Sequence, residues 1–249
     1  MTPATLYTIC WIWMAVGIAT FLLLQFVTAP YGRHAKSGWG PQISNKAGWI
    51  IMEAPSFLVI LYFFLTSDQS TFASMLSILW LLHYFNRTFI FPFRIRTKGK
   101  QMPVIIVASA IFFNLINAGL NGYFLAHFES YSNSSFTEWT FFLGILLFLG
   151  GFIINQISDH KLIHLRKPSE TGYKIPKGFL FKYISCPNLF GELIQWSGFA
   201  MMAWNLPALT FLVWTCANLI PRATKHHSWY KSHFSEYPTN RKALIPWLF

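Results

Sequence analysis

Long apolar runs separated by short polar segments divide the chain into a regular pattern. The runs lie at residues 6–29, 48–66, 71–93, 103–127, 136–157, 189–205 and 207–221. Because a helix needs about 20 mostly apolar residues to cross a membrane, the pattern predicts an all-α integral membrane protein with seven transmembrane helices. The first run has no basic leading segment and is long enough to span, so it predicts a helix and not a cleaved signal peptide. Pro207 leaves the region 189–221 open as either two short helices or one kinked helix.

Composition agrees with a membrane environment. Hydrophobic residues make up 54% of the 249 residues and charged residues 11%, whereas soluble domains average about 25% charged residues. So few charges cannot cover a surface that faces water, and the connections are too short for a large domain outside the membrane. We therefore expect one membrane domain over residues 1–249. The three cysteines have no CxxC spacing, so we expect neither a disulfide nor a cysteine metal site.

Basic residues alternate between the predicted connections. The connections after the first, third and fifth runs, together with the tail after the seventh, contain every lysine and arginine except Arg87. The connections near Asp68 and from Glu129 to Glu138 contain none. Because basic loops stay on the cytoplasmic side during insertion, the pattern predicts an outside N-terminus and a cytoplasmic C-terminus. We expect the protein in a bacterial inner membrane, or in the endoplasmic reticulum if its source is eukaryotic.

The net charge of +11 has two explanations. The first is the orientation bias alone, which places lysines and arginines on one side of the membrane. The second adds a polyanionic cytoplasmic ligand held by the basic loops. Nucleic acid is not expected as that ligand, because the sequence shows no basic repeat and no reader module.

Ionisable side chains inside the apolar runs are candidates for chemistry, because a charge in a bilayer is costly. Glu53 lies in the second run, two residues before Pro55, and Tyr84 and Arg87 lie three residues apart on one face of the third run. A tyrosine hydroxyl can donate a hydrogen bond to a carbonyl oxygen, and a buried acid nearby can orient that hydroxyl. The sequence leaves two alternatives open: Glu53 as a helix-packing residue and Tyr84 as an interfacial aromatic.

A second group of polar residues lies at the end of the fifth run. Asn155 and Asp159 lie one helical turn apart and lead into a basic loop that contains Arg166. An amide, a carboxylate and a cationic loop together suit the hydroxyls and phosphates of a nucleotide. The chain has neither GxGxxG nor GxxxxGK[ST], so helices and loops of the membrane domain would have to hold that nucleotide. The basic cluster after the last run, from Arg222 to Tyr230, is explained equally by a cofactor and by anionic lipid.

A stripe of amides marks the fourth run. Asn114, Asn117 and Asn121 are spaced three and four residues apart and therefore share one helix face. Such a stripe can line a cavity or hydrogen-bond to neighbouring helices. The spacing favours helix packing.

Several segments resemble the steroid 5α-reductases. They are His83-Tyr84-Phe85-Asn86-Arg87-Thr88-Phe89, Leu165-Arg166-Lys167-Pro168, Asn188-Leu189-Phe190-Gly191-Glu192 and Tyr237-Pro238-Thr239-Asn240-Arg241-Lys242-Ala243-Leu244-Ile245-Pro246. They occur in the order of the family. The resemblance covers roughly residues 50–249 and is densest in the C-terminal half, so we expect most of a cofactor site within 100–249.

The resemblance implies a seven-helix reductase that passes a hydride from NADPH to C5 of a 3-oxo-Δ4-steroid and yields a 3-oxo-5α-steroid. Tyr84 would hydrogen-bond the C3 carbonyl with Glu53 as its partner, and Trp196 would wall the steroid pocket, although Trp196 is equally explained as a packing aromatic. The residues implied for NADPH are Arg87, Asn155, Asp159, Arg166, Tyr173, Asn188, Glu192, Arg222, His226 and Tyr230. We expect a monomer that receives its steroid from the bilayer and contacts membrane lipids, with no metal.

The chain departs from the family pattern in three places. The connection after the third run ends in Lys98-Gly99-Lys100, where the family has an Asn-Arg-Gly-Arg type of sequence, so the family's phosphate contacts are not carried over there. Lys174 replaces an arginine and loses the bidentate geometry of a guanidinium. Ser109 stands near the place of an arginine of the steroid pocket, so a different substrate preference is open.

Three alternatives compete with a steroid reductase. A reductase of the same fold could act on a polyprenol or an enoyl-CoA. A di-iron membrane oxygenase is suggested by His160 and His164, four residues apart, and by the pair His226-His227, but such sites need more histidines on one side. A transporter or lipid-binding scaffold would explain the intramembrane polar residues as a path, yet no internal inverted repeat is visible.

Overall fold

The computed structural model describes residues 1–30, 32–34, 38–96, 99–167, 170 and 172–249. Lys36 and Lys98 of the predicted basic connections, and Pro168 of one resemblance segment, lie outside the described residues. The α-helices are α1 (Pro3–Phe26), α2 (Asn45–Thr66), α3 (Thr71–Phe85), α4 (Phe91–Arg94), α5 (Val104–His127), α6 (Trp139–Ile163), α7 (Pro187–Ala203) and α8 (Leu206–His233). A π-helix covers Asn86–Ile90, and the strands β1 (Gln42–Ser44) and β2 (Gln101–Pro103) pair antiparallel.

The helical character predicted from the apolar runs is confirmed. Within the described part of the chain, α1, α2, α5 and α6 are long and apolar enough to cross a membrane, and the chain is a membrane protein. With 17 residues, α7 is shorter than the about 20 residues that a span usually needs, whereas α3 continues without a break through the π-helix into α4. Seven crossings and their orientation therefore remain predictions. The two short strands were not predicted, since each has only three residues.

The region 189–221 forms two helices. Between α7 and α8 the backbone of Trp204 has a φ of +42°, which interrupts the helix. The Asn205 side chain then accepts a hydrogen bond from the backbone N–H of Ala208 at 2.9 Å, as a residue before the first helical turn does. Pro207 occupies the first turn of α8, where its missing N–H has no intrahelical partner to lose.

The helix α8 is longer than its apolar run. It continues through Pro221 to His233, so the basic cluster from Arg222 to Tyr230, predicted to follow the last span, is part of the same helix. Proline removes one intrahelical hydrogen bond without ending a helix that is otherwise packed. Ala223 and Tyr230 are buried, and the Lys225 ammonium donates to the carbonyl of Gln25 at 2.8 Å. These contacts hold the polar end of α8 in helical form.

The chain forms two compact units, which we describe separately. Unit 1 comprises Met1–Met14, Ala29–Phe142 and Met202–Phe211; unit 2 comprises Ala15–Thr28, Leu143–Met201 and Leu212–Phe249. The expectation of a single membrane domain over 1–249 remains a prediction.

In unit 1, α2 packs against α3 and α5 around Pro55. The indole N–H of Trp80 donates to the Ser56 carbonyl at 3.1 Å, and the amide of Asn114 donates to the Met52 carbonyl at 2.5 Å. Pro55 has no N–H to donate to the Ile51 carbonyl one turn earlier, and the two side-chain bonds go instead to carbonyls that flank the proline. These two donors fix α2 on either side of the proline.

The amide stripe of α5 packs between helices. Asn114, Asn117 and Asn121 are all buried, and Asn121 donates to the Pro207 carbonyl at 3.2 Å as well as to that of Asn117 at 3.0 Å. Together with the bond from Asn114 to α2, these contacts confirm the helix-packing interpretation.

The segment from α3 to α4 contains a change of helical period. The π-helix Asn86–Ile90 leads into α4, whose second residue, Pro92, has no N–H to donate to the turn that precedes it. A π turn adds a residue to the local register, turns the following side chains around the axis, and occurs frequently at functional sites. Arg87 lies on this π-helix.

In unit 2, four glycines bring α6 and α7 into close contact. Gly144 and Gly151 on α6 face Gly198 and Gly191 on α7, and the two glycines of each helix are seven positions apart. A Cβ on Gly191 would lie 2.6 Å from the Asn155 nitrogen and 2.6 Å from the Gly151 carbonyl oxygen. Small residues at a helix interface let two backbones approach in this way. The close approach positions the polar residues that follow on both helices.

Candidate active site

An ion pair lies between α2 and the π-helix of unit 1. The Arg87 Nη2 and the Glu53 Oε1 are 3.9 Å apart, and each side chain is 13% exposed. The guanidinium carbon of Arg87 lies 4.9 Å from the Trp49 ring centroid and 4.7 Å from that of Phe91. A planar guanidinium favours such aromatic faces. Glu53 and Arg87, both predicted as site residues, are therefore brought together in a largely apolar environment.

Tyr84 occupies the last turn of α3, three residues before Arg87. It is 5% exposed, and its ring stacks on Trp80 with centroids 5.4 Å apart and planes inclined by 26°. The His83 ring meets Tyr84 edge-on at 5.0 Å. Trp80 is in turn anchored to the Ser56 carbonyl on α2. The Tyr84 ring is therefore packed against two aromatic rings, and its role in the site remains a prediction.

Two aromatic residues of this arrangement were missed by the sequence interpretation. Trp49 lies four residues before Glu53 on α2, and Trp80 lies four residues before Tyr84 on α3. Residues four apart share a helix face. That spacing was the available signal, but aromatic residues at helical spacing are common in any membrane helix.

An amide and carboxylate cluster joins α6 to α7 in unit 2. The Asn155 amide donates to the Asn188 carbonyl at 3.1 Å, and the Asn188 amide donates to the Asp159 Oδ1 at 3.0 Å. Asn155 and Asp159 are both buried. Glu192 follows Asn188 by one turn and is partly exposed; across the described ranges its carboxylate has no hydrogen bond or ion pair. Asn155, Asp159 and Asn188 thus form one cluster of predicted cofactor residues. Glu192, a fourth predicted cofactor residue, lies on α7 together with Asn188.

The basic loop between α6 and α7 has its own ordered contacts. Arg166 donates to the Gly172 carbonyl at 2.8 Å, and its guanidinium carbon lies 5.9 Å from the Tyr173 ring centroid. Lys174 pairs with Glu170 at 2.6 Å. The hydrogen bond from Lys174, followed by that from a backbone N–H, holds the pKa of the Glu170 carboxyl below its ordinary value. Arg166 and Tyr173 are therefore neighbours, as a shared ligand would require.

The polar end of α8 carries the remaining predicted cofactor residues. Arg222 and His226 lie one turn apart and are partly buried. Tyr230, one turn further, is buried and stacks on Tyr237 with centroids 5.2 Å apart and planes inclined by 9°. The three residues share one face of α8, although the sequence interpretation had placed them in a tail.

Trp196 lies in an aromatic core of unit 2. It is 1% exposed and meets Phe148 at 6.3 Å and Phe199 at 5.6 Å, both edge-on. This environment agrees with its interpretation as a packing aromatic. A role as a wall of a steroid pocket remains a prediction.

The histidines give the di-iron alternative no support. No group of three or more His, Cys, Asp or Glu side chains able to hold a metal ion occurs among the residues that the structure describes. The rings of His160 and His164 are 4.2 Å apart, and the Nδ1 of His164 is engaged with the His160 carbonyl at 2.8 Å.

Comparison with known proteins identifies the family of the chain. A family model described as 3-oxo-5-alpha-steroid 4-dehydrogenase matches residues 100–249. The chain is 39% identical over 242 residues to steroid 5-alpha-reductase DET2 of Arabidopsis thaliana, which covers 94% of this chain and 92% of that protein. It is 38% identical over 253 residues to 3-oxo-5-alpha-steroid 4-dehydrogenase 1 of Macaca fascicularis, covering 100% of this chain and 94% of that protein.

These matches confirm the resemblance drawn from the sequence segments. The similarity extends over nearly the whole chain and nearly the whole length of the relatives. The chain belongs to the 3-oxo-5-alpha-steroid 4-dehydrogenase family and is an oxidoreductase that acts on CH–CH groups.

Proposed function

We propose that the chain reduces the C4–C5 double bond of 3-oxo-Δ4-steroids with NADPH and releases 3-oxo-5α-steroids. The names of its relatives support this substrate class and this reaction. The observation that carries the proposal is the buried Tyr84 on a helix that also places Arg87 against Glu53. A steroid ketone is apolar apart from its oxygen, so one oriented donor in an apolar setting suits it.

The chemical role of Tyr84 is to stabilise negative charge on the C3 oxygen. Bound NADPH would supply a hydride for C5 of the steroid, and negative charge would then develop on the C3 oxygen. The Tyr84 hydroxyl would donate a hydrogen bond to that oxygen, and the bond strengthens as the oxygen becomes an enolate. A proton then adds at C4. The stacking of Tyr84 on Trp80 lets the donor act without reorientation.

Glu53 and Arg87 would set the charge around that donor. A lone carboxylate in an apolar environment is unfavourable, and the guanidinium of Arg87 offsets it. The Trp49 and Phe91 rings keep the guanidinium in place. We propose that Glu53 orients the Tyr84 hydroxyl and that Arg87 contacts the cofactor as well as Glu53.

The residues of unit 2 fit a dinucleotide phosphate. The Glu192 carboxylate, which has no hydrogen bond or ion pair within the part of the chain described here, can accept from sugar hydroxyls. Basic side chains of the same unit, Arg166 and Arg222 among them, can bind phosphate oxygens. The residues that we propose for this cofactor are Asn155, Asp159, Arg166, Tyr173, Asn188, Glu192, Arg222, His226 and Tyr230.

Purified full-length protein in detergent micelles tests the proposal. With a 3-oxo-Δ4-steroid such as progesterone, we expect NADPH oxidation and a product two mass units heavier. Tyr84→Phe should lower kcat by about 10²- to 10³-fold, the effect of removing one such donor, while NADPH affinity stays within about twofold. Tyr62→Phe is the matched control, because Tyr62 is 62% exposed on α2.

Two outcomes would contradict the proposal. Unchanged turnover in Tyr84→Phe would remove that residue from the mechanism. Oxidation of NADPH with an enoyl-CoA or a polyprenol, but not with the steroid, would assign the alternative substrate class.

We further propose seven membrane crossings with the basic connections in the cytoplasm, and a monomer that receives steroid from the bilayer. Labelling of introduced cysteines tests the orientation. Ser134→Cys and Ser235→Cys lie at exposed positions in the connection before α6 and after α8. A membrane-impermeant maleimide applied to intact cells should label the first variant and not the second; the reverse pattern would invert the orientation.

A further inference from the structure

The hydroxyl of Ser185 connects three segments of unit 2. Ser185 is 3% exposed and lies just before α7. Its Oγ is 2.6 Å from the Nδ1 of His227 on α8 and 2.6 Å from the Tyr237 hydroxyl, and it donates to the Lys242 carbonyl at 3.1 Å. One buried oxygen therefore has three polar partners on segments far apart in the sequence.

The number of protons on Ser185 determines the direction of each bond. A serine hydroxyl has one hydrogen to donate and two lone pairs that accept. When the Ser185 hydrogen goes to the Lys242 carbonyl, the Tyr237 hydroxyl donates to Ser185 and the His227 ring donates to it through Nδ1–H. A neutral His227 ring satisfies all three contacts together when its proton is on Nδ1.

Backbone hydrogen bonds strengthen the same junction. The Ser185 N–H donates to the Lys242 carbonyl at 2.9 Å, the Lys242 N–H donates to the Tyr183 carbonyl at 2.9 Å, and the Cys186 N–H donates to the Ala243 carbonyl at 3.2 Å. The segment before α7 thus pairs with the C-terminal segment after α8.

The junction adjoins residues that we propose for the cofactor. Asn188 follows Ser185 by three residues, and its carbonyl and amide join the cluster on α6. Tyr237 stacks face to face on Tyr230. A shift of Ser185 or Tyr237 would therefore move a cofactor residue on α7 or on α8.

We infer that Ser185, His227 and Tyr237 are positioning residues for the NADPH site, which they serve by fixing the first turn of α7 and the end of α8. The inference rests on the proposed function. None of the three needs to touch the cofactor. Their contribution would appear in the affinity for NADPH and not in the chemical step.

Two substitutions of His227 test the assigned tautomer. An asparagine amide can place an N–H near the position of Nδ1, whereas a glutamine amide reaches nearer to the position of Nε2. We expect His227→Asn to keep the KM for NADPH within about twofold, and His227→Gln to raise it about fivefold to tenfold, as the loss of a bond to a buried hydroxyl predicts.

Tyr237→Phe removes one hydroxyl from the same junction. We expect the KM for NADPH to rise about fivefold to tenfold while kcat changes less than about twofold. Tyr183→Phe is the matched control, since Tyr183 is 42% exposed, two residues from Ser185, and contacts Trp247 through its ring. For each variant, thermal unfolding is measured together with the kinetics. NADPH binding is measured by the quenching of tryptophan fluorescence.

The outcomes separate this inference from the proposed function. Wild-type protein that fails to reduce steroid with NADPH refutes the proposed function. Active wild-type protein with an unchanged KM for NADPH in Tyr237→Phe and His227→Gln overturns the positioning role. Equal effects of the asparagine and glutamine variants overturn the tautomer, and a fall of kcat and melting temperature without a change in KM shows a purely structural role.

Discussion

The close approach of α6 and α7 makes a quantitative prediction for Gly151→Ala. The new Cβ would lie 2.8 Å from the Cα atom of Gln195 and nearer still to the Gln195 nitrogen and the Gly191 carbonyl oxygen. Ordinary van der Waals distances for a Cβ begin near 3.4 Å, so the two helices must separate by about 0.6 Å beside Gln195 and by more at the other two atoms. Overpacking of this kind costs about 1–3 kcal/mol.

The separation would be transmitted to the amide and carboxylate cluster one turn away. The bond from Asn155 to the Asn188 carbonyl is 3.1 Å long, so an opening of about 0.6 Å takes it beyond hydrogen-bonding distance. Loss of that bond adds about 0.5–1.5 kcal/mol. We therefore expect Gly151→Ala to lower the melting temperature by several degrees and to raise the KM for NADPH.

The adjacent residue provides a matched control for this substitution. A Cβ on Gly150 meets nothing within 4 Å, and alanine favours a helix more than glycine does. Gly150→Ala should therefore melt at or above the wild-type temperature with an unchanged KM. Differential scanning fluorimetry in detergent and steady-state kinetics measure both quantities. Identical melting temperatures for the two variants would refute the argument from close packing.

Three further substitutions test other parts of the structure. Arg87→Lys keeps the charge but loses the planar group that lies over two aromatic rings, so kcat/KM should fall about tenfold in steady-state assays. Asn188→Asp replaces a donor by a carboxylate 3.0 Å from Asp159, so it should melt below Asn188→Ala, which only loses the bond. The pKa of His227, which lies beyond the predicted spans, is lowered by burial and then by two nearby lysines. Below about pH 6.5 the unfolded chain therefore binds more protons than the folded chain, and the free energy of unfolding should decrease as the pH is lowered. The decrease should be smaller in His227→Asn.

The positions of the long helices were predictable because each apolar run contains the signal locally. The end of α8 was not predictable from the sequence, since the residues beyond Pro221 are polar and do not continue the apolar run. They are helical because Ala223 and Tyr230 are buried and Lys225 caps the carbonyl of Gln25, 200 residues away in sequence. Contacts between distant segments decide such a boundary, and spacing along the chain does not contain them.

Some features of the candidate site were likewise predictable from the sequence, and others were not. Glu53 and Arg87 were predicted because ionisable residues are rare in apolar runs, but their mutual contact depends on the π-helix, which a periodic pattern does not reveal. The two asparagines and the aspartate of unit 2 were predicted from residue type. Their exact partners depend on the glycine contacts between α6 and α7, which spacing alone leaves open.

The arrangement of unit 1 argues for function over packing at Glu53. A helix interface is served at lower cost by amides, as Asn114 and Asn121 show on α5, because a neutral amide avoids the desolvation of a charge. A carboxylate with a guanidinium held between two aromatic rings is more costly than any amide pair and gains nothing for packing. We propose that the pair instead sets the charge around Tyr84, whose ring stacks on Trp80, as stabilisation of a developing oxyanion requires.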